Sequence, residues 1–478
     1  MPGNLKISLP KGPYMRYVKS AIGLKSYDWS SVELLKDLLP SSITATEEDI
    51  AKRKGHFWHD MSSEYDSKYF LRYLLDRKDL ALSDDFIEFV CLQREASVMR
   101  TYKNLTYWDG ISDDMIEGDL SVADGIFVKA GGEGRDLSGC YAIPGLIDAH
   151  VHMCLNPDIS DPLVQAAVGE ERIVEEIRER ALAMVKAGIT TARDLGGGQW
   201  LELVIRDEIA SGETVGPRLI CAGQPITSVG GHCYFWGGEA SDTDAALTVL
   251  QRQLAHNVDL IKIMVTGGNI TPDSKPIDSQ FDDETVLRIV ALSTEQDLHV
   301  AGHCHGTDGI RQAAEAGVRT VEHCSWVGEE GWGRNFDETI LEKMVANEVW
   351  VSPTINAGWQ RFRKEEFVEM VRANYRKMKS AGVRLIASTD AGIPRVYHHD
   401  LPKALPEFAR FAELTPVDTL KAATSDCAAA VDLGAVTGQI LQGYAADFVV
   451  YEANPLADLS VLEKPVLVVA RGQEVVPD

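Results

Sequence analysis

The sequence is poor in the features that mark several protein classes. No apolar run approaches the roughly 20 residues that a helix needs to cross a bilayer, so a membrane span is not expected. Basic stretches are missing as well. With a net charge of −25 and an isoelectric point near 4.9, the chain repels phosphate and anionic lipid, so neither nucleic acid nor a membrane surface is an expected partner. Cysteine is sparse, at eight in 478 residues. None forms a CxxC pair and most lie in apolar strand-like stretches, which argues for reduced buried thiols rather than a disulfide framework or zinc fingers. There is no Gly-x-Gly-x-x-Gly turn to hold a dinucleotide. The opening "MPGNLKISLPKGPYMRYVKS" carries no apolar signal core, so the expected location is cytoplasmic.

What is present is an ordinary globular composition, 45% hydrophobic and 25% charged. The length calls for one large domain with one or two smaller ones. From about residue 140 a repeating pattern sets in. Eight apolar runs read as strands: "YAIPGLIDAHVHM", "TTARDL", "RLICAGQPIT", "LIKIMVTGG", "HVAGHCH", "RTVEHC", "VWVSPTI" and "RLIASTDAG". Between them come segments such as "EERIVEEIRERALAMVKAG" and "DETVLRIVALSTEQD", whose apolar residues recur every three or four positions, as an amphipathic helix requires. Eight such units predict an α/β fold, a closed (β/α)8 TIM-type barrel over residues 140–434. Residues 104–139 and 435–478 are β-rich and each too small to fold alone, so they are expected to pair into a small composite β-sandwich. Residues 1–103 read as a helical N-terminal extension that covers apolar surface and favours a homo-oligomer. His56 and His59 within it read as surface residues.

The stretch "GLIDAHVHMCLNP", residues 145–157, places His150 and His152 on one side of a strand, because side chains alternate faces. A lone His-x-His is a weak signal. Its weight comes from company: Lys262 falls in strand four, His303 ends strand five, His323 ends strand six and Asp390 ends strand eight. In this barrel class the site is built at the C-terminal ends of the strands, so these residues converge. Imidazoles with a carboxylate suit zinc and its first-row neighbours. His305 shares the inward face with His303. His299 has the same parity at the wrong end and reads as core, while Cys304 faces the helices.

These motifs together resemble the amidohydrolase superfamily over roughly residues 104–470. "PGLIDAHVHM" is similar to its strand-one motif, "TTARDL" to its strand-two signature, and "GQILQGYAADFVVYEANPL" to its closing β-domain motif. "DLIKIMVTGG" resembles the group whose strand-four lysine is carbamylated and bridges two metals, and "GGHCYFWGG" at 230–238 resembles a substrate-facing loop of imidazolonepropionase-related hydrolases. That group includes Xaa-Pro and Xaa-Arg/Lys dipeptidases, ochratoxin-type amidases and phenylurea or thiocarbamate hydrolases. The resemblance implies two divalent ions, zinc first and cobalt or manganese next, with one metal as the variant. His150, His152 and Asp390 would hold one, His303 and His323 the other, with carbamylated Lys262 between them. Asp390 would move the proton, with His232 or His305 assisting at the substrate carbonyl. Tyr234, Phe235 and Trp236 beside His232, together with Arg193, are candidate contacts of a small, partly apolar substrate. The implied reaction is hydrolysis of an amide, urea or carbamate C–N bond by a metal-activated hydroxide. Cyclic-amide, lactone or phosphotriester hydrolysis on the same centre are the rivals, and a non-catalytic scaffold is the remote one.

Overall fold

The computed structural model describes residues 99–477. The expected extension over 1–103, with His56 and His59, falls almost wholly outside the described residues, and its last positions belong to a strand. That strand, β1 (Arg100–Tyr107), is followed by β2 (Ile116–Ala123), β3 (Ile126–Val128), β4 (Arg135–Asp136) and β5 (Tyr141–Pro144). The run "YAIPGLIDAHVHM", expected as one strand, is therefore two. Gly145 divides them: a Cβ there would lie 2.0 Å from Thr190 Oγ1, so only glycine lets β5 leave one sheet and β6 (Leu146–Val151) enter another.

The chain folds as a TIM-barrel-like α/β structure. After β6 come β7 (Ile189–Asp194), β8 (Arg218–Cys221), a small parallel pair β9 (Thr227–Ser228) and β10 (Glu239–Ala240) in the following loop, then β11 (Ile261–Met264), β12 (Val300–Gly306), β13 (Thr320–Val327), β14 (Trp350–Ser352) and β15 (Arg384–Leu385). Parallel ladders join β6 to β8 and β11 to β15. Backbone hydrogen bonds outside the ladders close the two gaps. Ile226 N donates to Lys262 O at 2.9 Å, and Asp390 N donates to His150 O at 2.9 Å. The flanking helices follow the apolar periodicity. In Glu170–Lys186 the buried residues are Ile173, Ile177, Ala181, Met184 and Val185, with Glu170 and Glu171 in the first turn and Lys186 in the last, which complements the helix dipole. Asp242 and Asp282 cap the next two long helices by accepting from Ala245 N and Thr285 N.

Three strands return beyond the barrel: β16 (Phe448–Tyr451), β17 (Leu467–Ala470) and β18 (Gln473–Val475). β16 pairs antiparallel with β5, so strands from before and after the barrel form one sheet in the order β18-β17-β16-β5-β1-β2-β3, with β4 on β1. The expected sandwich of two sheets is instead a single curled sheet. Its far edge meets the approach to β16, where Phe127 N donates to Tyr444 O at 2.9 Å and Ala446 N to Gly125 O at 2.8 Å. Short strands twist strongly enough to roll around their own core. Here that core centres on Phe448, whose ring lies 5.1 Å from Tyr102 and 5.8 Å from Phe127. Among the described residues no helix is long and apolar enough to cross a membrane.

Candidate metal centre

At the C-terminal mouth of the barrel, His150, His152, His232, Lys262, His303, His305, His323 and Asp390 line one cavity of about 520 Å³. Three ligand atoms form a tight triangle. His150 Nε2 and His152 Nε2 are 3.3 Å apart, and Asp390 Oδ1 lies 3.2 Å from the first and 3.3 Å from the second. A tetrahedral zinc with bonds of about 2.0–2.1 Å sets its ligands roughly 3.4 Å apart, so the triangle is the size of a coordination face. On the other side His303 Nδ1 and His323 Nε2 are 2.9 Å apart. His305 joins this second group, and His323 also falls within ligand reach of His150 and Asp390.

The outer nitrogens of the four paired imidazoles are engaged. His150 Nδ1 donates to Glu322 Oε2 at 2.8 Å, His152 Nδ1 to Gly196 O at 2.9 Å, and His303 Nε2 to Gly267 O at 3.2 Å. His323 Nδ1 pairs with Thr354 Oγ1 at 2.8 Å. An outer N–H that is committed in this way leaves the inner nitrogen as a lone pair. Burial, with the neighbouring imidazoles, pushes His303 and His323 well below their ordinary pKa, which keeps them neutral. Burial raises the Asp390 carboxyl, but His150, His152 and His323 beside it hold it well below the usual carboxylate range. Facing lone pairs beside a carboxylate repel one another unless a cation lies between them, so the donor set fits divalent metal.

Lys262 reaches the centre from inside β11 rather than from its C-terminal end. Its Nζ is buried and has no hydrogen-bond partner among the described residues. Burial pushes its pKa down, against the pull of Glu322 and Asp390. Desolvation of this kind favours the neutral amine over the ammonium.

Three residues considered as substrate contacts lie away from the cavity wall. Arg193, expected against substrate, is fully buried and absent from the cavity wall. Its guanidinium donates to Glu322 Oε1 at 2.7 Å, to Ala149 O at 2.7 Å and to Thr320 Oγ1 at 3.0 Å. Tyr234 and Trp236 also lie off the wall. They occupy a 3₁₀ turn entered through Cys233 at φ 57° and left through Gly237 at φ 85°; Trp236 is buried and packs 5.3 Å from the His152 ring, while Tyr234 is half-buried. His232 does reach the cavity, with its ring 4.5 Å from that of His303. Cys304 is buried in the core and His299 holds Asp432 at 2.9 Å.

Glu322 is the functional residue that the sequence hides. Strand alternation puts it opposite His323, yet both turn toward the site because His323 and Cys324 take φ of 68° and 51° and break the alternation. Burial raises the Glu322 carboxyl, but Arg193 and His150 hold it well below the ordinary range.

Residues 141–475 match the amidohydrolase family model. The chain is 26% identical to an ochratoxinase of Aspergillus niger over 356 residues, 68% of this chain and 72% of that protein. An imidazolonepropionase of Fusobacterium nucleatum subsp. nucleatum is 22% identical over 353 residues, 67% of this chain and 79% of the relative. A crystal structure of a Xaa-Pro dipeptidase with methionine bound in its active site superposes with a TM-score of 0.67 at 25% identity, covering 79% of this chain and all of the other.

Proposed function

The chain belongs to the amidohydrolase family and is a hydrolase of amide-type C–N bonds; from that premise we propose that it cleaves an amide, urea or carbamate of a small, partly apolar molecule at the histidine-rich centre. The observation that supports this most is the convergence of ring nitrogens from several histidines on Asp390, beside a buried Lys262 amine with no hydrogen-bond partner among the described residues. His150, His152 and Asp390 would hold one divalent ion, His303 and His323 a second, and Lys262, as its carbamate, would lie between them. Zinc suits this donor set, with cobalt or manganese as substitutes. Bound metal supplies the acidity that makes water a nucleophile near neutral pH and the positive charge that meets growing charge on a carbonyl oxygen.

The protein's own groups do the rest. Asp390 touches the reacting water's position as a carboxylate, accepts its proton and returns it to the leaving nitrogen. His232 and His305, both pushed down to about 3 by burial and by neighbouring cations or imidazoles, are neutral and can donate an N–H to the substrate carbonyl. The fixed outer hydrogen bonds keep each ligand's orientation, so little reorganisation is needed when substrate enters.

The test is metal analysis of the full-length protein together with a screen of N-acyl amino acids, anilides, phenylureas and thiocarbamates. Between one and two transition-metal ions per chain are expected, with turnover lost on chelation and restored by zinc, cobalt or manganese. Full turnover by rigorously metal-free protein would sink the proposal.

A further inference from the structure

The cavity extends well beyond the metal ligands, and its outer wall carries an electrostatic asymmetry. That wall is built from Trp326, Trp332, Trp359, Phe362, Phe367 and Tyr375, and among the described residues its one cation outside the ligand cluster is Arg361. Among the described residues no acid other than Asp390 lines the cavity. Arg361 holds neither a carboxylate nor a carbonyl oxygen in any described contact; its guanidinium carbon lies 4.7 Å over the Phe362 ring. Stacking on a ring fixes the plane of a guanidinium and leaves its N–H edge free, which is the geometry that takes a carboxylate with two parallel hydrogen bonds.

This arginine is itself exposed, on a turn that is anchored on both sides. It ends the 3₁₀ turn Ala357–Arg361, capped by Asn356, whose side chain accepts from Gly358 N at 3.0 Å. Asn356 Nδ2 donates to Thr389 O at 3.2 Å, which ties the turn to the residue before Asp390. On the outer side Arg410 Nη2 donates to both Trp359 O and Phe362 O at 3.3 Å. A second donor waits in the same wall, since the buried Trp326 Nε1 has no acceptor among the described residues.

We propose that Arg361 is the specificity residue of this cavity and receives a free carboxylate on the substrate's amine half, so that the enzyme acts on N-acylated amino acids with a large flat apolar group. The inference rests on the hydrolase reading above. It carries its own exclusion: in a chain of net charge −25, a cavity with metal at its floor and an unpaired arginine on its wall rejects substrates with a basic side chain, because like charge meets like with no acid between them.

The test uses the metal-loaded full-length enzyme with N-benzoyl-phenylalanine and its carboxamide, in wild type, Arg361→Met and Arg361→Lys. Wild type should favour the acid by about 10- to 100-fold in kcat/KM, the range of a charge-assisted pair, chiefly through KM. Arg361→Met should bring the acid-to-carboxamide ratio near one, and Arg361→Lys should keep part of it. A parallel arm measures binding of N-benzenesulfonyl-phenylalanine and its carboxamide, which present no cleavable amide carbonyl. The acid should bind more tightly and lose about 10- to 100-fold in Arg361→Met. Equal binding of acid and carboxamide to wild type, or a preference that survives in Arg361→Met, overturns the assignment whether or not either amide is cleaved. Failure to cleave any amide, urea or carbamate, with the binding preference intact, overturns the hydrolase reading and leaves the Arg361 subsite standing.

Discussion

Asp390 and Lys262 face the same cavity but hold different chemistry, and substitution separates them. Asp390→Asn keeps the shape and one oxygen ligand while removing the proton acceptor; metal should largely remain while kcat falls by about 10²- to 10⁴-fold. Lys262→Ala removes the anionic bridge, so metal content should fall along with rate, and added short-chain carboxylates should restore part of both. Metal analysis beside kinetics distinguishes the two, and Lys262→Ala with full metal and full rate would mean that no carbamate bridge is needed. Glu322 acts one step further out, through His150. In Glu322→Gln the apparent affinity of one metal should weaken by about 10- to 100-fold, the usual effect of losing a carboxylate behind a ligand histidine. The same change strands the buried Arg193, which lowers stability for a separate reason. Glu322→Gln combined with Arg193→Met should recover stability but not metal affinity; recovery of both on titrating zinc into the apoprotein would make the pair purely structural.

At the scale of strands and loops, close packing couples elements that share no ligand. Gly268, in the loop after β11, lies against His232 so closely that a Cβ would come 2.4 Å from the imidazole Nε2. Gly268→Ala should therefore displace His232 and lower turnover by roughly a hundredfold, as small misplacements of catalytic groups do, while metal content stays at the wild-type value. A variant with unchanged kcat and KM would remove His232 from the proposed chemistry. The barrel strands were legible because each is a short apolar run bracketed by helical periodicity, and His150, His152, His303, His323 and Asp390 were legible because those runs end on them. Other features depend on geometry that periodicity does not encode. Alternation fails where φ turns positive at His323 and Cys324, which brought Glu322 to the site unannounced. The division at Gly145 depends on Thr190, far along the chain. The acid that Arg193 pairs with could not be named from the sequence because it lies on another strand. The cavity's outer wall comes from loops after β13 and β14 and the helix Glu365–Ala381, whose aromatics look like ordinary core until the loops are placed.

The whole molecule carries a pH dependence of its own. Glu202 is 1% exposed, and neither of its carboxyl oxygens has a hydrogen-bond partner among the described residues. Burial, then the charge of Asp194, pushes its pKa up to about 8. The folded protein thus keeps a proton that the unfolded chain releases above about pH 4.3, so this group's contribution to stability falls as pH rises from there to about 8 and is flat beyond. Urea midpoints of metal-loaded protein should drop between pH 5.5 and 8, and Glu202→Gln should flatten that drop; an equal slope in the variant would place the proton elsewhere. The curled sheet has a different kind of consequence, one of timing on the ribosome. β5 leaves the exit tunnel roughly 300 residues ahead of its partner β16. At roughly 5–20 residues per second, an edge that the finished molecule covers stays open for tens of seconds while the barrel is still being made. During that interval nascent chains on neighbouring ribosomes can add their own strands to it, so the yield of active enzyme should depend on how widely those ribosomes are spaced along the messenger.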